Sequence, residues 1–574
     1  MRVLGTAPYN RLIVMADYSE IPVMRSLPVR KWDKTTDKWI VPAIAANLAV
    51  MRQRGGCIPT VEQRVPPTEL DSSFVLKTAP MPQQMGALLA MRDMPAFGLF
   101  MDPGTGKTKI LIDDAVASHM RGEIRGVLLI CPNSIKSNWT EELEKHSGGD
   151  YTAFEHSPEK VKLAHKFMSE ATGLRWLIMG VESLSTPTGV KVAEAFLRSG
   201  KMELAVDESS RIKTHNANRT KAIVKLARSA VRTRIATGTP ATQGPQNVWS
   251  QFEALDPRIL DLDYYPFRAM FCVMGGYKQK QIVASRNEDI LLDMISPVVY
   301  QARKSECLSH LPPKTYQRRF VKPTPEQEKV YRELVSTGSL TTPNGVMDFD
   351  IALVRDLRLH QLTGGFIATQ ETIQTLASLI RDASPDQLWQ ALDAAPEKKW
   401  YTSHPIPGPN PKIEELKSIV EEQPEGTKMI VWARYRAEVA AIAEALEPYG
   451  EAVQFHGGVT IEDRATARQR FQSDPKVRFF VGQVQTGGIG ITLTAASVSV
   501  FFSSDWSAEN RIQAEDRNHR IGSEIHDGCQ YIDLLLEGKF IDKRVLNAVQ
   551  SGVDYHHALM DDLASRLDNQ PQGV

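Results

Sequence analysis

Twice along this chain, short runs of branched apolar residues alternate with amphipathic segments, and that rhythm restricts the possible folds more than any other feature. FGLF, GVLLICP, RWLIMGVE, MELAVDE and RTRIATG fall between residues 76 and 255, and KMIVWARY, EAVQFHGG, VRFFVGQ, VSVFFSSD and GCQYIDLLL follow residue 411. Each run is apolar almost without interruption, so both faces of the strand it forms must be covered. Strands covered on both faces by intervening helices build parallel sheets. The sequence therefore predicts an α/β fold with two doubly wound parallel sheets, over residues 76–255 and 412–574. In such sheets ligands bind beyond the carboxyl ends of the strands. No repeat of fixed period relates the two halves, so their kinship is one of architecture.

Two further segments flank this rhythm. Residues 1–75 read as a separate small α/β unit, with extended segments at Asn10 to Met15 and Ile21 to Leu27. The stretch VRKWDKTTDKWIVP then predicts a hairpin whose turn, KTTDK, lies between strands carrying Trp32 and Trp39. Arg25, Arg30, Lys31, Lys34 and Lys38 lie beside those aromatics, a mixture suited to holding phosphates and stacking on bases. Packing of both tryptophans in a small core fits the spacing equally well. Residues 256–411 read as a mainly helical insertion and linker, from segments such as EDILLDMI and EQEKVYREL, ending in the proline-rich HPIPGPNP.

Bulk properties narrow the classes. Lys plus Arg equals Asp plus Glu, 68 against 68, so any nucleic-acid surface has to be local. Cys57, Cys131, Cys272, Cys307 and Cys529 never form a C-x-x-C pair, which argues against a zinc site or a disulfide framework and fits a reducing cytosol. No apolar run approaches the ~20 residues of a membrane helix, and the N-terminus lacks a signal-peptide layout. A soluble, cytoplasmic protein is expected.

The chemistry concentrates in FGLFMDPGTGKTKI, Phe97 to Ile110, which reads as strand, turn and helix. Backbone N–H groups of Gly104, Thr105 and Gly106 would face a polyphosphate at the helix N-terminus, Lys107 would reach its β and γ phosphates, and Thr108 would offer a hydroxyl to Mg2+. Met101 stands where the strict pattern has glycine, and a glycine-rich turn with an exposed lysine is the plain alternative. AVDESSRIK sets Asp207 and Glu208 just past a buried strand, where the first can hold Mg2+ and the second can orient or deprotonate water. IATGTPATQ ends the next strand with Thr237, Gly238, Thr239 and Pro240, hydroxyls able to sense a γ phosphate or merely an ordinary turn. SAENRIQAEDRNHRIG carries Gln513, Arg517 and Arg520 at i, i+4 and i+7, one face of a predicted helix. That face suits a γ phosphate, and a salt-bridge ladder with Glu509, Glu515 or Asp516 suits it too. TGGIGITLTAA, Thr486 to Ala496, brings small residues and hydroxyls after a strand, which lets backbone approach a nucleic-acid phosphate.

In this order the segments resemble the helicase motifs of superfamily two, and more closely the Snf2 family of DNA-dependent ATPases. PQQMGALLAM resembles the adenine-reading glutamine segment, with Gln84 the better match and Gln83 the alternative; MDPGTGKT resembles motif I, ICPNSIKSNW motif Ia, VDES motif II, TGTPATQGPQNVWSQFEAL motif III, QTGGIGITLTAA motif V and QAEDRNHRIG motif VI. PVVYQARKSECLSHLPPKT followed by TPEQEKVY resembles the link between that family's helical protrusions. QAEDRNHRIG and PVRKWDKTTDKWIVP are similar to the annealing-helicase branch and its HARP accessory domain. Met101, DESS and Ser523 depart from the family pattern without removing a group the chemistry needs.

The resemblance implies two RecA-like sheets with helical Snf2-type insertions and an N-terminal HARP-like accessory domain. It implies ATP with Mg2+ bound between the sheets, Lys107 and Thr108 on one side and Arg517 and Arg520 on the other. It further implies a monomeric motor acting on duplex or branched DNA, remodelling or reannealing forks; the compact insertions and lack of regulatory modules suit a bacterial or viral chain working in the host cytoplasm. A Snf2-type motor that displaces proteins from DNA or serves a restriction system, and a non-catalytic DNA-binding scaffold, are the alternatives.

Overall fold

The computed structural model describes residues 1–53, 66–71, 74, 76–276, 281–342, 345–348, 352–370, 401–487 and 490–568. Its contacts divide into two compact units, Met1–Ser309 with the described part of Gly552–Val574, and His310–Ser551.

The first unit is built on a seven-stranded sheet in the order Val299–Ala302, Ala96–Met101, Arg232–Thr237, Met202–Asp207, Gly126–Cys131, Leu174–Gly180, Tyr151–Glu155. All neighbours are parallel. The five runs read as strands are strands, and every residue in them is buried, as two-sided coverage requires. Both edge strands lack that signature. Tyr151–Glu155 is half-buried throughout, and an edge strand needs no continuous apolar run.

The N-terminal segment forms a four-stranded antiparallel sheet, in the order Arg2–Ala7, Arg11–Met15, Lys38–Pro42, Lys31–Asp33. The hairpin is as expected, with Trp32 opposite Trp39 and their rings edge to face at 5.1 Å. Ile21–Ser26, expected to be extended, is a helix. Proline in its first turn favours that start, and Met24 and Leu27, three residues apart, both enter the core. This segment also docks on the larger sheet's helices. Tyr9 Oη donates to Asp256 at 2.8 Å, Arg11 pairs with Asp261 at 3.0 Å, and Val29 and Ile44 join the larger core. Leu559, Met560 and Leu563, near the end of the helix Ile541–Asp568, complete that core.

The second unit carries a six-stranded parallel sheet in the order Lys314–Val321, Cys529–Leu536, Val498–Phe501, Met429–Ala433, Val477–Gln483, Glu451–Phe455. A separate apolar cluster covers each face. Residues 256–411, expected to be mainly helical, do contain the helices Glu288–Ile295, Pro325–Thr337 and Ala352–Thr363, yet they also give each sheet an edge strand, Val299–Ala302 and Lys314–Val321. The flanking prolines and short apolar stretches masked those two strands. Part of the same segment, 371–400, lies outside the described residues. Among the described residues no helix is long and apolar enough to cross a membrane.

Candidate active site

Ala96–Met101, Arg232–Thr237 and Met202–Asp207 are consecutive neighbours in the first sheet. Neighbouring strands lie about 4.8 Å apart, so whatever follows their carboxyl ends must converge. Three of the segments read as chemical do follow them.

After Met101 the chain turns through Gly104 and Gly106, at φ +87° and +93°, and enters the helix Lys107–Met120. Gly106 is required twice over. A residue with Cβ is strained at that φ, and the Cβ would lie 1.9 Å from Gln84 Nε2. Thr105 closes the turn, its N–H and hydroxyl both donating to the Asp102 carbonyl, at 3.3 and 2.7 Å. Lys107 folds back and donates to the carbonyls of Met101 at 2.7 Å and Asp102 at 3.3 Å. It is buried rather than the exposed lysine of an ordinary turn, and Thr108 beside it is half-buried. Gln84, on the helix Pro82–Met91, accepts from Met81 N–H at 2.8 Å while its amide lies over Gly106, and Gln83 reaches the Thr105 carbonyl at 3.5 Å. Both glutamines weighed in the sequence therefore meet the loop.

Asp207 closes the strand Met202–Asp207, one strand removed from Ala96–Met101. One carboxylate oxygen accepts from Trp139 Nε1 and the other from Glu208 N–H, both at 3.0 Å. Burial raises its pKa, while the Lys107 ammonium pulls it back down. Glu208 sits in the left-handed region at φ +52°, ψ +53°, a conformation costing a residue with a side chain about 1–2 kcal/mol. Strain of this kind is kept where surrounding structure enforces it.

Between them, the turn after Arg232–Thr237 presses on the loop. A Cβ on Gly238 would lie 2.6 Å from Pro103, so only glycine allows the approach. Thr239 N–H donates to Thr237 Oγ1 at 3.0 Å, and the buried Thr239 hydroxyl has no hydrogen-bond partner among the described residues.

In the second unit the predicted helical face is cut short. The helix runs only from Ala508 to Glu515, so Arg517 and Arg520 lie beyond it, in a turn. They are nevertheless gathered, because both guanidinium groups donate to the Ile491 carbonyl, at 3.2 and 3.4 Å, and Arg517 also donates to the Gln513 carbonyl at 2.7 Å. Gln513 is 2% exposed, and neither end of its amide has a hydrogen-bond partner among the described residues. A salt-bridge ladder also runs through a third arginine of the stretch. Arg511 pairs with Glu515 at 2.7 Å and with Asp533, and Glu515 also holds Lys314 at 3.2 Å.

Sequence reasoning assigned no role to Trp139, Lys109 or Arg436. Trp139 carries a buried N–H, which demands an acceptor, and Asp207 supplies it. Lys109 pairs with Asp113 at 2.6 Å and donates to the Thr78 carbonyl at 3.0 Å, tying the phosphate-loop helix to the segment that leads into Gln84. The Arg436 guanidinium lies against Gly457 and Gly458, 3.2–3.4 Å from where a Cβ would stand on either, with the Thr486 hydroxyl at 4.0 Å from the first. Of the Thr486–Ala496 stretch, 488–489 lie outside the described residues.

A buried lysine, a carboxylate pair and a threonine turn thus follow three consecutive parallel strands, in a protein of the two-sheet α/β class. Residues 84–376 match the SNF2-related domain and 411–522 the helicase conserved C-terminal domain. The first match alone spans more than half of the chain, which belongs to the SNF2-related family. It is 25% identical over 458 residues to the DNA annealing helicase and endonuclease ZRANB3 of Mus musculus, covering 78% of this chain and 38% of that protein. It is 21% identical over 556 residues to a Caenorhabditis elegans SWI/SNF-related matrix-associated actin-dependent regulator of chromatin subfamily A-like protein 1 homolog, covering 93% and 72% respectively. Among solved structures it is similar to the Sulfolobus solfataricus SWI2/SNF2 ATPase core in complex with dsDNA, at 21% identity and a TM-score of 0.37, over 87% of this chain and 96% of that one. The chain spans less than two-fifths of the length of the ZRANB3 proteins it matches.

Proposed function

We propose that this protein is an ATP-driven DNA motor that remodels or reanneals branched DNA. The observation that carries the reading is the convergence of Lys107, Asp207, Glu208 and the Thr239 turn beyond the carboxyl ends of three adjacent strands. Gly104, Thr105 and Gly106 would cradle the phosphates with backbone N–H groups, and Gln84 would meet the adenine. Lys107 would exchange the Met101 and Asp102 carbonyls for β and γ phosphate oxygens, a stronger charge-assisted pairing. Glu208 would orient or deprotonate the attacking water, and Thr239, with an unused hydroxyl, would report on the γ phosphate. Arg517 and Arg520 of the second unit would neutralise charge on the same phosphate, a role worth about 10³ to 10⁵ in rate, with the Gln513 amide as a further hydrogen-bond donor.

The half-buried Thr108 hydroxyl and Asp207, whose oxygens each keep a lone pair after one donor, fit an ion that takes few protein oxygens. Mg2+ held there would draw negative charge off the β and γ phosphates.

Two surfaces support DNA as the track. In the second unit Arg436, Gly457, Gly458 and Thr486 bring a cation, a hydroxyl and uncovered backbone together, a combination suited to phosphate. In the first unit, Arg25, Arg30 and Trp39 of residues 1–75 share a groove with Leu262, Pro266 and Met270, suiting an accessory role for that segment on branched DNA.

The test is ATP turnover of the whole chain with no DNA, duplex DNA or forked DNA. Turnover stimulated by DNA, and most by forks, is expected; turnover absent under all three conditions would overturn the reading. Arg25→Glu with Arg30→Glu should remove the preference for forks while leaving duplex stimulation in place.

A further inference from the structure

The strand end that carries Asp207 and Glu208 is wired to the turn that carries Thr239 through one buried side chain. Ser209, next to Glu208, donates its hydroxyl to Gln251 Oε1 at 2.7 Å. Gln251 Nε2 in turn donates to the Pro240 carbonyl at 2.7 Å and to the Asn247 carbonyl at 2.8 Å. The amide has only one workable orientation, because turning it over would set its oxygen against two carbonyl oxygens. Ser209 and Gln251 are both 0% exposed, so water cannot substitute for either contact. A second link runs parallel to the first. Asn247, one turn earlier on the helix Gln246–Leu255, accepts from Gln243 N–H at 3.1 Å, fixing the far end of the same turn.

A glutamine has no packing reason to be there. Its neighbours Val248, Phe252 and Leu255 are buried in the apolar core, and leucine would fill a similar volume without an amide to satisfy. Glu208 meanwhile holds its left-handed backbone between Asp207, whose carboxylate takes the Glu208 N–H, and Ser209, whose hydroxyl is held by Gln251. A shift of the Thr239–Pro240 turn would therefore pull on the residue next to Glu208 through two short hydrogen bonds.

We propose that Gln251, with Ser209, is a positioning residue that couples the Thr239 turn to Glu208, so that the water-activating carboxylate is set in register with the state of the γ phosphate. This deepens the proposed function and rests on it. The relay touches neither nucleotide nor metal, so its loss should act on turnover rather than on binding.

Gln251→Leu and Ser209→Ala test it, separately and together, in the full chain. The readings are kcat and KM for ATP with saturating duplex DNA, affinity for a fluorescent ATP analogue, and thermal unfolding. Each single change should lower kcat about tenfold or more while analogue affinity stays within about twofold, since misplacing the water-activating carboxylate removes transition-state stabilisation without touching ground-state binding. The double variant should be no worse than the weaker single, because both changes cut one connection. Wild-type kcat in both single variants, or multiplicative losses in the double, would overturn the relay. If Gln251→Leu fails to fold, Ser209→Ala, which removes one oxygen, decides by the same kcat criterion. Absence of ATP turnover in the wild type would instead strike the parent reading, which keeps the two failures apart.

Discussion

The two units hold their charged site residues by different means. In the first, Lys107 and Asp207 stand beyond the carboxyl ends of two buried strands with a third between them, and each is pinned by fixed neighbours: two strand-end carbonyls for the lysine, the Trp139 indole and the next backbone N–H for the aspartate. In the second, Arg517 and Arg520 occupy a turn beyond a helix end and share one carbonyl at 3.2 and 3.4 Å. Arg517 adds a bond to the Gln513 carbonyl at 2.7 Å, so this pair leans on the carbonyls of a loop and a helix end rather than on strand ends. The contrast suggests a fixed half that binds and an adaptable half that responds, and substitutions can separate the two.

The largest effect belongs to the fixed half. Lys107→Ala should lower DNA-stimulated turnover by about 10³-fold or more and weaken nucleotide affinity as well, since the ammonium is asked to hold the ground state and the transition state alike. Arg517→Ala should cost about 10³ in turnover while nucleotide affinity changes less than about threefold; equal losses in both, measured with a fluorescent nucleotide, would erase the distinction between the halves. Trp139→Phe should act more gently and through pH. Burial already raises the Asp207 pKa and the indole donor opposes that rise. Without the donor the pKa goes up further, so the acid limb of the turnover–pH profile should move to higher pH while the alkaline limb stays put. An unmoved acid limb would mean that Asp207 is not the group titrating there.

How much of this was legible in the sequence follows from what each residue had to do. Strands with both faces covered betray themselves as apolar runs, and all ten such runs became strands. Edge strands carry no such obligation: of the four, only Glu451–Phe455 was read, while Tyr151–Glu155, Val299–Ala302 and Lys314–Val321 passed unseen. Lys107, Asp207, Glu208 and Thr239 were readable because loop, strand end and glycine turn follow one another in order. The arginine face was misread because periodicity was carried past Glu515 into DRNHRIG, whose Asp, Asn, His and Gly favour turns over helix; there Asn518 uses its amide to hold the Ala496 carbonyl at 3.2 Å. Trp139 and Gln251 fall within the stretches that resemble motifs Ia and III, yet their polar ends acquire meaning only from residues 68 and 42 positions away.

Glu208→Gln addresses the central claim most directly, because it leaves the shape of the site intact and removes only the carboxylate charge. Single-turnover release of phosphate from ATP should fall by about 10² to 10⁴, while a fluorescent ATP analogue still binds within about threefold of the wild-type affinity. Phosphate release at the wild-type rate would contradict the assignment of hydrolysis to the strand-end carboxylates of the first unit.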